Sequence, residues 1–324
     1  MPFEKHEKLF ASIGQAGLVP VIKIEDASKA EGLANALLAG GIGVAEVTFR
    51  SQSAEEAMRI IAEKVPQMLL GAGTVINLEL AKKAKAAGAK FLVSPGFNPA
   101  VVDWAIENDI PIFPGVCTPS DIEQGLARGL KTLKFFPAEA SGGVDMLKNF
   151  AGPFSQVKFM PTGGINAENL QSYIKLKNVL AVGGSWMVKP ELVDNGRWDE
   201  ITSECSKAVA ALQGFKLIHV GLNTPDKDAA LAASRMLEIF GMTTKVGNSS
   251  TFMDREIELM HKMYLGANGH LGFSCNSVER ALGYLERFGF KPVESTFAYT
   301  DDKRLKVAYL APEVAGFAIH LVLA

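Results

Sequence analysis

Short β-like runs alternate with helix-like segments through about the first 200 residues, and this alternation restricts the fold more than any other feature of the sequence. Each run is short and apolar, and Gly or Asn often ends the segment between two runs. The runs are residues 18–24, 44–49, 68–75, 91–95, 110–116, 132–137, 157–162 and 180–184. Eight strands separated by helices are typical of a (β/α)8 TIM barrel. A doubly wound open sheet is the main alternative, but it usually has a glycine-rich fingerprint after its first strand, and residues 20–23 offer none.

The residues beyond the alternating region repeat one pattern twice. Segment 219–223, His-Val-Gly-Leu-Asn, corresponds to segment 270–274, His-Leu-Gly-Phe-Ser. A helical pattern follows each segment and ends in Phe-Gly, and each half then closes with a similar strand, at 257–259 and at 319–321. This internal duplication predicts a second, smaller α+β domain of two βαβββ modules. We therefore expect one domain at residues 1–213 and another at residues 214–324.

The amino-acid composition restricts which class of protein the chain can belong to. The chain has 324 residues, of which 48% are hydrophobic and 21% charged, as expected for a globular enzyme with a sizeable core. Its net charge of -2 gives no reason to expect nucleic acid or an anionic membrane as a partner. Cys117, Cys205 and Cys275 lie far apart, which argues against a disulfide framework and favours a reducing cytoplasm. We expect a cytoplasmic protein, since the sequence shows neither a signal-peptide core nor a stretch of about 20 apolar residues.

Lys134 lies in the middle of the sixth run, between Leu133 and Phe135. Side chains alternate along a strand, so Lys134 and Phe136 share a face. Lysine is almost never fully buried without a reason. Burial disfavours an ammonium group and leaves a free amine, which can attack a ketone. The alternative is an edge strand from which the lysine head reaches solvent.

Several polar residues share the parity that faces the interior of a barrel. Glu46, Thr48 and Arg50 alternate along the second run, while Thr74 and Thr162 end the third and seventh runs. Their positions at strand ends place them at the mouth where barrel enzymes hold their active sites. The alternative is that Glu46 and Arg50 only pair with each other to fill the barrel, although buried ion pairs are weak stabilisers.

Paired glycines lie at the ends of the last two runs, at Gly163-Gly164 and at Gly183-Gly184-Ser185. Loops after these strands often bind phosphate in barrels, because glycine lets backbone N–H groups approach an anion closely. Tight turning alone would also explain them, since Gly-Gly occurs elsewhere in the chain.

Six stretches taken together resemble the KDPG/KHG aldolases. They are Glu46-Val47-Thr48-Phe49-Arg50, Gly71-Ala72-Gly73-Thr74-Val75, Ser94-Pro95-Gly96, Lys134-Phe135-Phe136-Pro137-Ala138-Glu139, Pro161-Thr162-Gly163-Gly164-Ile165 and Gly183-Gly184-Ser185-Trp186. The resemblance covers about residues 1–212. It implies a class I aldolase with a (β/α)8 barrel, usually a homotrimer. Such an enzyme cleaves 2-dehydro-3-deoxy-6-phosphogluconate (KDPG) to pyruvate and glyceraldehyde 3-phosphate, and 4-hydroxy-2-oxoglutarate (KHG) to pyruvate and glyoxylate.

The same resemblance implies roles for individual residues. Lys134 would form the Schiff base with the 2-keto carbon, and Glu46 would act as general acid and base. The substrate-binding residues would be Arg50, Thr74 and Thr162 for the pyruvyl carboxylate, Pro95 and Phe136 for the pocket wall, and Gly163, Gly164, Gly184 and Ser185 for the distal phosphate. This route needs no cofactor besides the lysine.

The duplicated C-terminal half resembles the glyoxalase-like, or vicinal oxygen chelate, proteins. That resemblance implies a divalent metal held by His219, Glu258, His270 and His320, although many members have glutamate where His320 stands. Imidazole and carboxylate together suit Zn²⁺, Ni²⁺ or Fe²⁺. A metal-free domain with hydrogen-bonded histidines is the alternative. For the whole chain, we expect either an aldolase fused to a metal-dependent isomerase or lyase, or one fused to a module that binds a regulator or extends an oligomer interface.

Overall fold

The structure is a computed structural model that describes residues 2–324. The chain divides into two compact units, the first ending at Leu212 and the second comprising Gln213–Ala324. Among the described residues, no helix combines the length and the apolar character that a membrane span requires.

Strands alternate with helices throughout the first unit. Its strands are β1 (Leu18–Ile22), β2 (Val44–Thr48), β3 (Leu69–Gly73), β4 (Phe91–Val93), β5 (Ile112–Phe113), β6 (Gly115–Val116), β7 (Thr132–Phe135), β8 (Lys158–Pro161) and β9 (Val182–Gly184). Its helices are α1 (Glu7–Ala16), α2 (Ala30–Ala39), α3 (Ala54–Lys64), α4 (Leu78–Ala86), α5 (Pro99–Glu107), α6 (Pro119–Ala127), α7 (Gly143–Phe150), α8 (Leu170–Ile174), α9 (Pro190–Asp194) and α10 (Trp198–Gln213). The alternation confirms the predicted α/β fold.

Local sequence sets where several of these helices begin. Asn77 and Asn98 accept hydrogen bonds from backbone N–H groups in the first turns of α4 and α5. Thr118 and Asp121 form a reciprocal capping box at the start of α6. These side chains satisfy N–H groups that the first turn of a helix leaves without partners. Each cap also fixes where the preceding loop, which follows a strand, must end.

The strands of the first unit are parallel and follow one another in the order expected around a barrel. One sheet has the order β5-β4-β3-β2-β1-β9, and a second has the order β6-β7-β8. A bridge between Thr162 and Gly183 links β8 to β9. The predicted fifth strand, 110–116, was wrong as a single element, because Pro114 separates β5 from β6. Proline has no N–H to donate to a ladder, although the Pro114 carbonyl still accepts a hydrogen bond from Lys134 N at 3.0 Å.

The second unit contains the order strand, helix and three strands twice. Its first half has β10 (Lys216–Asn223), α11 (Lys227–Glu238), β11 (Thr244–Val246), β12 (Ser250–Met253) and β13 (Ile257–Met260). Its second half has β14 (Gly269–Cys275), α12 (Val278–Glu286), β15 (Lys291–Tyr299), β16 (Leu305–Val314) and β17 (Phe317–Leu323). All eight strands form one sheet in the order β11-β12-β13-β10-β14-β17-β16-β15.

One face of this sheet is apolar. Leu259 and Met253 pack with Ala230 of α11, while Leu321 and Leu310 pack with Ala281 of α12, in two separate clusters. Because side chains alternate along a strand, the residues between these apolar ones lie on the opposite face. That opposite face carries all four predicted metal ligands.

Candidate active site and a second polar cluster

Lys134 and Glu46 meet in the interior of the first unit. Lys134 is on β7 and Glu46 on β2, and their side chains are only 6% and 1% exposed. The distance from Lys134 Nζ to Glu46 Oε1 is 3.4 Å, and Nζ lies 5.2 Å from the centre of the Phe136 ring. Glu46 Oε2 is buried and has no hydrogen-bond partner within the described chain. A buried amine therefore lies beside a carboxylate that keeps one oxygen free.

Arg50 and Thr48 are joined to each other instead of to Glu46. Thr48 Oγ1 donates to the carbonyl of Ile22 at 2.7 Å and accepts from Arg50 Nε at 3.0 Å. Over residues 2–324 no ion pair joins Arg50 to Glu46. The alternative in which these two residues only neutralise each other is therefore not what the structure shows.

Two glycines make room for polar side chains on neighbouring strands. A Cβ built on Gly73 would lie less than 3.0 Å from Glu46 Oε1, and one built on Gly183 would lie equally close to Thr162 Oγ1. Thr74, directly after Gly73, has a left-handed backbone with a φ of 60°. We did not predict a role for Gly73, because its place beside Thr48 follows from the register between β2 and β3, which the sequence does not show.

The remaining predicted binding residues lie at or just after strand ends. Gly163 and Gly164 follow β8 with φ values of 100° and 81°, which only glycine adopts without strain. Gly184 ends β9, and Ser185 after it is exposed. Pro95 follows β4 and is partly buried. The structure shows no hydrogen bond from Ser185 or Thr74 to Lys134 in its described part.

The glycine loop after β8 has a support that sequence reasoning missed. Glu139 N donates to the carbonyl of Gly163 at 3.1 Å, and the Tyr173 hydroxyl donates to Glu139 Oε1. Tyr173 is fully buried. Burial is the main cause that raises the pKa of its hydroxyl, and the hydrogen bond to Glu139 raises it further. Glu139 belongs to the Lys134 stretch, which was the available signal, but nothing in the sequence joined it to Tyr173.

The four residues predicted as metal ligands in the second unit lie together. His219 Nε2 is 3.0 Å from His270 Nε2, and Glu258 Oε2 is 3.2 Å from His270 Nε2 and 3.5 Å from His219 Nε2. The centre of the His320 ring lies 5.5 Å from that of His219 and 5.2 Å from that of His270. One nitrogen from each histidine can be chosen so that all three lie within 4.8 Å of one another.

Burial and neighbouring groups shift the pKa values of His219, Glu258 and His320. Burial lowers the pKa of His219 and lowers that of His320 to about 3, with the neighbouring histidines adding to the effect on His320. Burial alone would raise the pKa of Glu258, but hydrogen bonds from His270 and Ser250 outweigh it, so the pKa lies below its usual value. Neutral imidazole and ionised carboxylate are the protonation states that bind a metal.

Several nitrogens of the cluster lack hydrogen bonds. Both ring nitrogens of His320 and Nδ1 of His270 are buried without a partner among residues 2–324. The Tyr309 ring stacks on His320 at a centroid distance of 4.4 Å and an angle of 4°. Buried polar atoms are normally satisfied, so this donor set fits a metal ion better than it fits a metal-free hydrogen-bonded cluster.

The first unit thus has a parallel α/β fold with a buried lysine beside a carboxylate in its interior, a pairing suited to an enzyme that uses an amine as its nucleophile. The family model for KDPG and KHG aldolases matches residues 10–204. The chain is 46% identical over 193 residues to the 2-dehydro-3-deoxy-phosphogluconate aldolase of Dickeya dadantii, covering 60% of this chain and 91% of that protein. It is also 46% identical over 200 residues to the KHG/KDPG aldolase of Escherichia coli, covering 62% of this chain and 92% of that protein.

A solved structure gives the same result. The KDPG aldolase of Legionella pneumophila, in which pyruvate was captured as a covalent carbinolamine, aligns with a TM-score of 0.60 and 43% identity. The alignment covers 61% of this chain and 97% of that one. The chain belongs to the KDPG and KHG aldolase family and is a lyase, which confirms the predicted class of enzyme.

Proposed function

We propose that the first unit is a class I aldolase that cleaves KDPG to pyruvate and glyceraldehyde 3-phosphate through a Schiff base on Lys134. The observation that carries this proposal is the buried Lys134 Nζ, 3.4 Å from Glu46 Oε1. The carbinolamine captured in the Legionella pneumophila relative supports the same chemistry. KHG, which yields pyruvate and glyoxylate, is the second substrate that we propose.

The reaction follows from an amine beside a carboxylate. The amine of Lys134 attacks the 2-keto carbon, and the carbinolamine loses water to give an iminium ion. The iminium accepts the electron pair of the C3–C4 bond as that bond breaks, while the C4 hydroxyl loses its proton and becomes the aldehyde. The resulting enamine is protonated at C3, and water then releases pyruvate. Glu46 would carry the protons in these steps, since its free oxygen can accept one and return it.

The other predicted residues would bind the two ends of the substrate. Arg50 offers a guanidinium group, with Thr74 and Thr162, to the pyruvyl carboxylate. Pro95 and Phe136 would form the pocket wall. The loop residues Gly163, Gly164, Gly184 and Ser185 would hold the distal phosphate, in line with the positive φ values of the first two.

Borohydride trapping tests this proposal. Full-length protein is incubated with pyruvate, reduced with borohydride and digested for peptide mass analysis. We expect a reduced pyruvyl group on Lys134 in the wild type and in the exposed-lysine control Lys90→Met, and no adduct in Lys134→Met. An unmodified Lys134 in folded wild-type protein would contradict the Schiff-base route.

We also propose that the chain forms a homotrimer, as the resemblance to the aldolases implies. Light scattering coupled to size exclusion would then give about three times the chain mass of 34.7 kDa. A monomer at micromolar concentration would contradict it.

We propose, as a second candidate function, that the second unit is a glyoxalase-like module that holds a divalent metal. His219, Glu258, His270 and His320 would be its ligands, and the unpaired nitrogens of His320 and His270 support this. Bound there, such a metal would supply Lewis-acid chemistry to an isomerase or lyase reaction. His261 of the same unit is hydrogen-bonded to Thr251 and offers a matched control.

Metal analysis of the full-length protein tests the second candidate. We expect about one equivalent of metal in the wild type and in His261→Ala, and loss of it in His270→Ala. Absence of metal from every variant, after dialysis against Zn²⁺, Ni²⁺ or Fe²⁺, would contradict it.

A chain ending at Gln213 separates the two roles of the second unit, because altered aldolase regulation or assembly would favour a regulatory module over an enzyme.

A further inference from the structure

We infer that Gly221 and Gly272 are positioning residues that seat the imidazole rings of His270 and His219. The metal readout of this inference rests on the proposed function of the second unit. The seating itself rests on contacts between β10 and β14 that are independent of any metal.

The register of the two strands places each glycine opposite a histidine. In the antiparallel ladder, Gly221 pairs with His270 and His219 pairs with Gly272. Residues that are directly opposite share a face of the sheet, with Cβ atoms about 5 Å apart. The imidazole ring of a histidine can therefore lie over the residue opposite it only if that residue has no side chain.

The imidazole rings of His270 and His219 both lie over the glycine opposite them. A Cβ built on Gly221 would lie less than 3.0 Å from three ring atoms of His270. A Cβ built on Gly272 would lie less than 3.0 Å from three ring atoms of His219. The left-handed glycines of the chain do not include Gly221 or Gly272, so the space above each residue, and not its backbone conformation, requires glycine.

The arrangement is reciprocal between the two halves. Each half contributes one His-x-Gly segment, and the glycine of each half seats the histidine of the other. The result is that the two rings face each other, with their Nε2 atoms 3.0 Å apart, and both reach Glu258. Glycine weakens a strand interior relative to alanine, so two such positions at one cluster indicate that they serve to place the rings.

Alanine at either position would displace one ring from the cluster. Ligand atoms must lie within about 0.2 Å of their proper distances for a metal to bind well. We therefore expect Gly221→Ala to lower Zn²⁺ affinity by about 10- to 100-fold, the range measured when support for a metal ligand is lost. Gly272→Ala should have the same effect through His219.

A double-mutant cycle in the full-length protein tests the seating. The variants are Gly221→Ala and His270→Ala, alone and combined, with Gly221→Ala in a His219→Ala background as the matched control. The readouts are Zn²⁺ affinity, from competition with a chromophoric chelator, and hydrogen exchange of peptides covering β10 and β14. Aldolase activity of the same samples reports the folding of the first unit.

We expect Gly221→Ala to weaken Zn²⁺ binding in the wild type, and to speed exchange both in the wild type and in the His219→Ala background. In the His270→Ala background it should change exchange and any residual affinity by less than about 2-fold, because the ring that it would displace is absent. The inference would be overturned if Gly221→Ala sped hydrogen exchange equally in both histidine backgrounds. It would also be overturned if Gly221→Ala alone had the Zn²⁺ affinity and exchange rates of the wild type. If even the wild type binds no Zn²⁺, the metal proposal fails, and the exchange measurements still decide the seating.

Discussion

The polar cluster of the first unit and that of the second differ in what each leaves unpaired. In the first unit Lys134 faces Glu46, an amine beside a carboxylate, and Glu46 Oε2 has no hydrogen-bond partner among residues 2–324. In the second unit two of the three imidazoles contact one carboxylate, Glu258, and three ring nitrogens of His270 and His320 lack partners in the described structure. A buried polar atom without a partner costs about 1–3 kcal/mol. The second cluster therefore carries the larger cost of unpaired buried atoms, which a bound group would offset.

In both clusters, a glycine on the neighbouring strand leaves room for the functional side chain. Glu46 lies over Gly73 on the neighbouring strand, as His270 lies over Gly221 and His219 over Gly272. In each case a parallel or antiparallel partner strand supplies the empty space that the functional side chain fills. The difference in chemistry between the units thus lies in the donor sets and not in how the strands position them.

The largest effect that we expect comes from filling the space beside Glu46. A methyl group on Gly73 would force Glu46 Oε1 away from Lys134 Nζ. General acid–base catalysis contributes about 10²–10⁴-fold, so Gly73→Ala should lower kcat by about 10²-fold or more, with a smaller change in KM. The measurement is steady-state KDPG cleavage with pyruvate release coupled to lactate dehydrogenase.

Gly43→Ala is the matched control for this prediction. Gly43 precedes β2, and a Cβ built on it meets nothing within 4 Å. Its kcat should stay within about 2-fold of wild type, since surface changes are usually small in effect. Wild-type kcat in Gly73→Ala would show that Glu46 does not depend on this glycine and would break the parallel between the units.

How far the sequence predicted these clusters depends on the sequence distance between their parts. The alternating pattern predicted Glu46 on an inward-facing parity, whereas the resemblances to the two families implied the role of Lys134 and the four residues of the second cluster. The supporting glycines were not predicted, because their role follows from the register between separate strands. Residues 219 and 272, for example, become opposite only when β10 pairs with β14.

Other features escaped prediction for local reasons. The run 110–116 has the composition of one strand, and only the missing N–H of Pro114 divides it. The contact between Tyr173 and Glu139 joins α8 to the turn after β7, two parts of the chain that share no pattern. Periodicity shows which face a residue takes, but it does not show which distant residue it meets there.

A smaller effect should follow from adding a divalent metal, and it should be confined to the second unit. A ligand at 100 times its dissociation constant stabilises the state that binds it by about 2.7 kcal/mol. Zn²⁺ should therefore slow hydrogen exchange in β10, β13, β14 and β17 and leave β7 unchanged. The control is His320→Leu, which removes the imidazole with the most unpaired nitrogens and should abolish most of the protection. Equal protection in both units would contradict the contrast between the two clusters.

The smallest effect concerns a property that the two units share. Cys205 in the first unit and Cys275 in the second are fully buried, and burial raises the pKa of each thiol to about 12. Cys117 is partly exposed. Because the thiolate is the reactive form, iodoacetamide at pH 8 should modify Cys117 and spare the other two in native protein. Peptide mass analysis measures this, and equal labelling of all three would contradict it.

The same burial predicts how stability depends on alkaline pH. An unfolded cysteine loses its proton near its model value of 9.0, whereas folded Cys205 keeps it to about 12. Between these values the folded state binds more protons, so the free energy of unfolding should fall as pH rises, by up to about 1.4 kcal/mol per pH unit. Denaturant titrations followed by tryptophan fluorescence report the first unit, which contains Trp104, Trp186 and Trp198. Burial also raises the pKa of the Cys117 thiol, but by less, so Cys205→Ala should flatten the slope more than Cys117→Ala does. An unchanged slope in Cys205→Ala would show that another group controls alkaline stability.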